Sequence, residues 1–267
     1  MELNQMLSNV VGKSSTCPTP SRKCEDCGND INPFEIELFG VKKWMTGNCK
    51  CVTDKYDREL EEQKQKEKQD RLDRIFKQSR LGERFKNSTF QTYTATAETR
   101  PFATRLYGFA KNFRDNKNKS ILMTSHPGTG KTLLASCVVN ELLSKGIPSI
   151  FVIVPDLLTQ IRATYNRNSL DTEGKIMSGL SDCELLVLDD IGAERHSDKD
   201  DWATEKLFSI INSRYIGMKA TIFTTNCTLA ELKEKLGDRT FSRICEMTEG
   251  MRLDMNTISD FRLSGLR

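Results

Sequence analysis

The stretch that decides the fold is SHPGTGKTLLAS at residues 125–136, which follows the apolar run ILM at residues 121–123. Gly128 and Gly130 allow the backbone to turn its amide groups inward toward an anion. A helix that begins near Lys131 would add the positive end of its dipole at the same point. A strand, a glycine-containing loop and a helix that opens with Lys-Thr form the arrangement of a P-loop, which predicts a site for nucleotide phosphates.

The residue types in this loop predict a separate role for each side chain. We expect the Lys131 ammonium to neutralise charge on the β- and γ-phosphates and the Thr132 hydroxyl to ligate Mg²⁺. The pattern G-x-x-x-x-G-K-[ST] has glycine where this chain has Ser125, so the conformation at the start of the loop stays open. The predicted nucleotide-binding residues are Pro127, Gly128, Thr129, Gly130, Lys131, Thr132 and Leu133.

Two further apolar segments end in polar side chains that would complete such a site. In LLVLDD, Asp189 ends the apolar run and would hold Mg²⁺ through water, while Asp190 would orient or deprotonate the attacking water. ATPases of this layout more often carry Glu beside the metal-binding Asp, which makes Glu194 an alternative to Asp190. In TIFTTN, Asn226 would position the water near the γ-phosphate. Paired acids can also cap a helix and an asparagine can also cap a turn, and both alternatives stay open.

The segments around these motifs alternate between short apolar runs and helical patterns. The runs lack the period-two alternation of a half-exposed strand, which favours central parallel strands covered by helices on both faces. The fold class that follows is α/β with a doubly wound parallel sheet. We predict strands at residues 120–125, 149–154, 185–189 and 221–225, and helices at residues 131–145, 155–166 and 202–217.

Length, charge and hydropathy set limits on the class of protein. The chain has 267 residues and a formal net charge of +3, so no global field directs it to nucleic acid or to a membrane. No segment approaches the roughly 18 to 20 continuous apolar residues that a bilayer span requires, and the N-terminus lacks the pattern of a signal peptide. We therefore expect a soluble, cytoplasmic protein with one large domain and a smaller module.

The chain contains nine cysteines, and five of them fall near its N-terminus. Cys24 and Cys27 in KCEDCG and the pair Cys49 and Cys51 in NCKC have a spacing that predicts a closed tetrahedral Zn²⁺ site of four thiolates. The spacing within the second pair is tight, so Cys17 stays open as a substitute ligand, and unligated thiols stay open as an alternative. The scattered cysteines are expected in the core, and they are Cys137, Cys183, Cys227 and Cys245.

Residues 54–80 contain no Gly or Pro and mix both charge signs, with few apolar side chains. Opposite charges at helical spacing favour a helix with almost no buried face, which commonly bridges two modules. A charge-rich flexible linker is the alternative. The predicted organisation is a zinc-binding domain at residues 1–53, a charged helical linker at residues 54–86 and an ATPase domain at residues 87–267.

Together these motifs resemble the DnaC/DnaI-type replicative helicase loaders and their relative IstB, a transposition ATPase, within the AAA+ class of P-loop ATPases. The resemblance runs from FKNSTFQTY to the C-terminus and rests on GTGKTLLA, LLVLDDIGAE, IFTTN, GDRTFSRICEM and SDFR. In such loaders an arginine in the GDRTFSR segment reaches ATP bound by a neighbouring subunit, which implies this role for Arg243, with Arg239 as the alternative. The arginine of SDFR, Arg262, would contact the γ-phosphate in its own subunit. A guanidinium at either place would stabilise charge that develops during hydrolysis.

The resemblance also implies partners. Related loaders of Gram-positive bacteria carry an N-terminal zinc domain that grips the helicase, so we expect docking on a hexameric DnaB-family helicase and a phage or Gram-positive host. The AAA+ domain would bind ATP as a switch, self-associate through its ATP sites and contact single-stranded DNA. Arg162, Tyr165 and Arg167 are candidates for the DNA contact, although a solvated helix explains them equally well.

Two other functions stay open. An IstB-type transposition ATPase would act on duplex DNA and a transposase, and the N-terminal cysteines argue against it. A nucleotide-binding adaptor of replication proteins would use its nucleotide only as a structural element, and it would tolerate the substitution Lys131→Ala.

Overall fold

The computed structural model describes residues 21–38, 40–75, 84–165, 172–193 and 201–262. Contacts between Cα atoms divide the chain into two compact units, Met1–Lys64 and Gln65–Arg267. The division falls within the segment that the sequence analysis predicts as a linker. Three residues considered above lie outside the described ranges, namely Cys17, Arg167 and Glu194.

The N-terminal unit contains two short antiparallel hairpins and the beginning of a long helix. Its elements are β1 (Arg22–Lys23), β2 (Asp30–Ile31), β3 (Phe34–Leu38), β4 (Val41–Met45) and α1 (Lys50–Ile75). Strand β1 pairs with β2, and β3 pairs with β4. The turn of the first hairpin closes through Cys24 N–H, which donates a hydrogen bond to Asn29 O at 2.8 Å.

The second unit is organised around a parallel sheet. Its strands are β5 (Ile121–Thr124), β6 (Ser149–Ile153), β7 (Leu185–Asp189), β8 (Ala220–Thr225) and β9 (Arg252–Asp254). Their spatial order is β6-β7-β8-β5-β9, and all neighbouring strands are parallel. The four strands predicted from the sequence are confirmed to within one residue at each end. Strand β9 has three residues, which is too short to give a hydrophobic pattern of its own.

Helices cover both faces of this sheet. They are α2 (Arg100–Lys111), α3 (Phe113–Asn116), α4 (Lys131–Ser144), α5 (Val154–Ala163), α6 (Glu173–Asp182), α7 (Asp201–Ile216) and α8 (Leu229–Met247). Alternate side chains of a strand point to opposite faces. Leu186 therefore packs with helices α5 to α8, whereas Val187 packs with α2 and α4. This two-sided core confirms the doubly wound α/β class. None of the helices in the described ranges is long and apolar enough to cross a membrane.

Helix α1 has a buried face in its second half, contrary to the sequence prediction. The side chain of Leu72 is 4% exposed and belongs to the core of the second unit. The Gln69 side-chain oxygen accepts a hydrogen bond from Ser149 N–H at 3.0 Å, and Lys68 forms an ion pair with Glu184 at 3.3 Å. Leu72 and these polar contacts anchor this half of the helix, so apolar periodicity does not reveal its buried face.

The prediction that the four scattered cysteines are core residues is correct for only two of them. Cys137 and Cys183 are buried, whereas Cys227 and Cys245 are partly exposed. Cys227 follows the end of β8, and its thiol lies 3.6 Å from Gly192 O in the neighbouring loop. An apolar neighbourhood in the sequence therefore does not place a thiol in the core when the strand ends before it.

The order of the strands brings three of their carboxyl ends together. Strand β8 lies between β5 and β7, so the residues that follow these strands meet at one edge of the sheet. Open parallel sheets bind ligands beyond this edge. Each of the three predicted nucleotide-binding motifs follows a different one of these strands.

Candidate functional site

The loop between β5 and α4 closes around the Lys131 side chain. The ammonium lies within hydrogen-bond distance of four acceptors, which share its three N–H groups: Ser125 O and Ser125 Oγ, each at 2.8 Å, His126 O at 3.0 Å and Asn226 Oδ1 at 2.8 Å. Lys131 is buried, and this burial lowers the pKa of its ammonium to about 8. All four acceptor atoms are uncharged. A phosphate anion would therefore stabilise the buried cation better than its present partners do.

Ser125, which replaces the first glycine of the P-loop pattern, takes part in this hydrogen-bond network. Its hydroxyl lies 2.5 Å from Thr129 Oγ1 and accepts from Lys131, and the residue is buried. The backbone turns at Gly128 and Gly130, where φ is +85° and +93°, values that favour glycine. The conformation that the sequence left open is a closed loop tied by the Ser125 hydroxyl. Sequence reasoning missed this role because the bonds form only when the loop closes.

Thr132 and Asp189 lie in contact at the carboxyl end of β7. Thr132 Oγ1 lies 3.2 Å from Asp189 Oδ1 and 3.1 Å from Oδ2, and Thr224 donates a hydrogen bond to Oδ1 at 2.6 Å. Burial raises the pKa of the Asp189 carboxyl to about 6. Mg²⁺ prefers oxygen ligands and uses one or two carboxylates together with phosphates, so this pair fits the ion. Thr224 is a member of the site that the sequence analysis missed.

Asn226 connects the lysine with the second acid of the LLVLDD segment. Its Nδ2 donates a hydrogen bond to Asp190 Oδ1 at 2.6 Å, while its Oδ1 accepts from Lys131. Asp190 has a φ of +59°, which is uncommon for an aspartate, and its amide donates to Thr224 Oγ1 at 3.0 Å. The left-handed backbone at Asp190, directly after β7, thus brings its carboxylate next to Asn226, which follows β8.

The predicted arginines lie in two different places. Arg243 Nε donates a hydrogen bond to Asn212 Oδ1 at 2.7 Å, and its guanidinium lies 4.8 Å from the centre of the Phe208 ring. The guanidinium of Arg239 lies 5.3 Å from the same ring, so both belong to a cluster on α7 and α8. Arg262 follows Phe261, whose N–H donates a hydrogen bond to Gly128 O at 3.2 Å, so the backbone at Arg262 lies beside the P-loop.

Four cysteines of the N-terminal unit form a compact cluster. Cys24 Sγ lies 3.5 Å from Cys51 Sγ, Cys27 Sγ lies 3.5 Å from Cys49 Sγ, and all four sulfur atoms lie within 4.8 Å of one another. Thiolates bound at about 2.3 Å to a tetrahedral Zn²⁺ stand about 3.8 Å apart, so the cluster fits this ion. Hydrogen bonds from the backbone of Cys27 and Asp26 lower the pKa of the Cys24 thiol to about 7, whereas hydrogen bonds with the other three thiols raise the pKa of Cys51, so the cluster forms its first thiolate at Cys24.

The first turn of α1 explains the tight spacing of the second cysteine pair. Cys49 O accepts hydrogen bonds from Val52 N–H at 3.0 Å and from Thr53 N–H at 3.1 Å. The chain therefore already curves at Cys49, and one intervening residue is enough to return Cys51 to the cluster.

The candidates for a nucleic-acid contact lie in a cluster of aromatic and charged side chains between α5 and α7. The Arg162 guanidinium lies 4.7 Å from the ring centre of Trp202, and Trp202 Nε1 donates a hydrogen bond to Tyr165 OH at 3.1 Å. Tyr165 is exposed, and its hydroxyl donates to Glu173 at 2.6 Å. Sequence reasoning missed Trp202, which meets the other two only in the folded chain.

The chain is similar in sequence and in fold to known proteins. Residues 47–245 match the family of IstB-like ATP-binding proteins. The replicative helicase loader DnaC of Buchnera aphidicola subsp. Baizongia pistaciae is 32% identical over 185 residues, which cover 67% of this chain and 72% of that protein. The crystal structure of the DnaC helicase loader aligns with a TM-score of 0.57 and 30% identity, over 67% of this chain and 100% of that chain. The crystal structure of DnaI aligns with a TM-score of 0.54 and 21% identity, over 66% of this chain and 92% of that chain, and this likeness concerns the fold alone. The chain belongs to the IstB-like ATP-binding protein family and has the AAA+ fold of the helicase loader DnaC.

Proposed function

We propose that the protein is an ATP-dependent loader that binds a hexameric DnaB-family replicative helicase through its N-terminal unit and delivers it to single-stranded DNA. One observation carries the proposal. Asn226 joins the P-loop lysine to Asp190 beside the pair Thr132 and Asp189, in a chain similar to DnaC over two thirds of its length. ATP binding and hydrolysis act as the switch between the bound and released states of the helicase.

The side chains of the site have the chemistry that ATP hydrolysis needs. Thr132 and Asp189 would hold Mg²⁺, which would neutralise negative charge on the phosphates. The Lys131 ammonium exchanges its neutral acceptors for phosphate oxygens, and Asn226 keeps Asp190 in place through its Nδ2. Asp190 accepts a proton from the attacking water as the water oxygen bonds to the γ-phosphorus. The bond between that phosphorus and the ADP oxygen breaks, and ADP and phosphate leave.

Two arginines stabilise the charge that develops in this step. Arg262 acts within its own subunit, which agrees with its place next to Phe261, whose N–H donates a hydrogen bond to Gly128 O in the P-loop. Arg243 acts on ATP bound by a neighbouring subunit, with its guanidinium supported by Phe208 and Asn212. Arg239, against the same ring, is the alternative. Hydrolysis then depends on self-association.

The N-terminal unit supports a protein-docking role. A unit of this size has a small core, so metal binding by its cysteine cluster would supply much of its folding free energy. Phe34 and Met45 pair across the hairpin of β3 and β4 and are 49% and 45% exposed, and Tyr56 on α1 is also exposed. Exposed apolar side chains that lie together are typical of protein contact sites. We assign this surface to the helicase.

The cluster of Arg162, Tyr165 and Trp202 supports a contact with single-stranded DNA. Aromatic rings stack on bases without regard to sequence, and a guanidinium beside them pairs with the phosphate backbone. Such a contact suits a loader, which must hold DNA of any sequence.

A capture experiment tests the docking role. The full-length protein should retain a DnaB-family hexamer, and a variant that lacks residues 1–53 should not. Cys27→Ser should lose bound zinc and capture together, because it removes one of four ligands, whereas Cys245→Ser on α8 should keep both. Equal capture by all four proteins would contradict the proposal.

The match to the IstB-like family favours one second candidate, a transposition ATPase that acts on duplex DNA and a transposase. Binding of labelled single-stranded and duplex DNA separates the two candidates. A loader should prefer the single strand, whereas a preference for the duplex together with failed helicase capture supports the second candidate. A nucleotide-binding adaptor is identified by helicase loading that survives Lys131→Ala.

A further inference from the structure

The segment after β9 runs along the P-loop and carries Arg262. We name residues 255–262 the strap. Met255 N–H donates a hydrogen bond to the last carbonyl of β5 at 2.9 Å, and Phe261 N–H donates to Gly128 O at 3.2 Å. The strap is therefore bonded to the P-loop region near both of its ends.

Asp260 lies where the strap crosses Gly128. Its carboxylate occupies the space in which a β-carbon on Gly128 would lie, so any other residue at that position would overlap it. The same carboxylate accepts a hydrogen bond from Arg262 N–H, with 2.8 Å between Asp260 Oδ1 and Arg262 N. One side chain thus contacts the backbone of the P-loop and fixes the turn that carries the arginine.

The position of Arg262 matters because a contact with phosphate depends on where its guanidinium lies. The N–H of the preceding residue, Phe261, donates a hydrogen bond to Gly128 O at 3.2 Å, so the backbone at Arg262 runs beside the loop. Coulomb interactions weaken with distance and with exposure to water, so a small displacement of the guanidinium would weaken its effect on a phosphate held by the loop. The Arg262 side chain is exposed, and its backbone therefore needs an anchor that is tied to the loop.

We propose that Asp260 is a positioning residue that holds Arg262 at the P-loop, so that the arginine contacts the γ-phosphate and distinguishes ATP from ADP. The inference rests on the proposed function, which includes the role of Arg262. Without the carboxylate, the bond from Phe261 to Gly128 remains, but the turn at Arg262 loses its anchor. ATP should then lose affinity and ADP should not, because only ATP has the phosphate that the arginine contacts.

Glu98 provides a matched control for a merely local structural role. Its carboxylate accepts a hydrogen bond from Ser259 N–H at 3.2 Å, one residue before Asp260 on the same strap. Glu98 therefore holds the strap through the same kind of bond as Asp260 does. Its bond goes to the amide of Ser259 and not to the amide of Arg262. If attachment of the strap alone mattered, loss of either carboxylate would have the same effect.

The experiment measures the Kd of the full-length protein for ADP and for a non-hydrolysable ATP analogue, both with Mg²⁺, and compares the ratio of the two values. Asp260→Ala should reduce the preference for the ATP analogue by about tenfold, as Arg262→Ala should, because the hydrogen bond that fixes the turn at Arg262 is lost. Asp260→Asn keeps the acceptor oxygen and should stay within about twofold of the wild type, as should Glu98→Ala. Asp260→Ala should add nothing when Arg262 is already alanine.

Three results would overturn the inference and leave the nucleotide site intact. They are an unchanged ratio in Asp260→Ala, a ratio in Asp260→Asn as low as in Asp260→Ala, and a further loss in the double variant. A wild-type protein that binds both nucleotides equally overturns it as well. A wild-type protein that binds neither nucleotide refutes the proposed function itself. Asp260→Gly, which also lacks a side-chain acceptor, replaces Asp260→Ala in the comparison if the alanine variant does not fold.

Discussion

Lys131 and Asn226 are 95 residues apart in the chain and are joined by a hydrogen bond of 2.8 Å between the ammonium and the amide oxygen. The bond exists because β5 and β8 are neighbours in the sheet, so the P-loop after β5 meets the polar end of β8. The same amide donates to Asp190 at 2.6 Å. The group that we expect to bind phosphate is thereby connected to the group that we expect to accept the proton of water.

Asn226→Ala should separate nucleotide binding from hydrolysis. Loss of the amide frees Asp190 from its position, so kcat should fall by about 100-fold, as when a preorganised hydrogen bond is removed from an active site. The affinity for ATP should change by less than about threefold, because Lys131 exchanges its bond to Asn226 for a phosphate oxygen when ATP binds. Asn140→Ala on α4, where the amide bonds Ser88 O at 2.7 Å, is the control and should leave kcat unchanged. An equal loss of affinity and kcat in Asn226→Ala would contradict this role.

Ser125→Ala should destabilise the protein before any nucleotide is added. The substitution leaves the buried Thr129 hydroxyl without one partner and removes one acceptor from Lys131, which costs about 1 to 2 kcal/mol of unfolding free energy. Urea unfolding measures the change. Ser178→Ala, whose hydroxyl bonds Asp182 on an exposed part of α6, should change the free energy by less than about 0.5 kcal/mol. Equal effects of the two substitutions would mean that the loop is not tied by Ser125.

The raised pKa of Asp189 predicts a pH dependence of stability. Its folded-state pKa of about 6 lies above the ordinary value of 3.8, so the folded protein binds this proton more tightly than the unfolded chain does. The stabilisation that this carboxyl group contributes is fully present below its unfolded pKa and is lost as pH rises through about 6. The asparagine in Asp189→Asn does not ionise. As pH rises through this range, the unfolding free energy of the variant should therefore increase by about 1 to 3 kcal/mol relative to that of the wild type. Unfolding by urea in Mg²⁺-free buffer tests this, and a pH-independent difference between the proteins would contradict it.

Arg214→Lys should be strongly destabilising. Arg214 is fully buried on α7 and donates hydrogen bonds to Thr221 Oγ1 at 2.8 Å, Leu180 O at 2.6 Å and Cys183 O at 3.2 Å. A lysine cannot reach these acceptors with the same fork of donors, and buried polar groups left unpaired cost about 1 to 3 kcal/mol each. Arg114→Lys on the exposed face of α3 is the control. Similar unfolding midpoints in urea for the two variants would show that the buried fork is dispensable.

The sequence predicts the centre of the fold better than its periphery. The four apolar runs and the helices α4, α5 and α7 have strong local patterns, and the structure confirms them. Helix α8 was missed because Gly237 interrupts it with a φ of +76°, although Thr228 and Glu231 form a capping box at its start. The buried half of α1 was missed because Leu72 is its one buried apolar side chain in the described residues and its other contacts are polar. Such features depend on partners elsewhere in the fold, which local patterns do not contain.

The candidate site also combines residues that the sequence predicts with residues that only the fold reveals. Lys131 and Asp189 are recognisable because their chemistry requires those residue types next to a strand. Ser125, Thr224 and Asp260 have no such pattern, since each acts through a bond to a residue that the fold brings near. Arg243 is assigned by resemblance, and its role in a neighbouring subunit stays a prediction.

The binding of Mg²⁺ and a non-hydrolysable ATP analogue to the full-length protein, measured by calorimetry, tests the central claim most directly. The wild type should bind one equivalent, and Lys131→Ala should bind at least about 100-fold more weakly, because it removes a buried charge-assisted contact to phosphate. Lys145→Ala at the other end of α4 should bind like the wild type. Equal affinity of the wild type and Lys131→Ala, or no binding by the wild type, would contradict the claim that this loop holds a nucleotide.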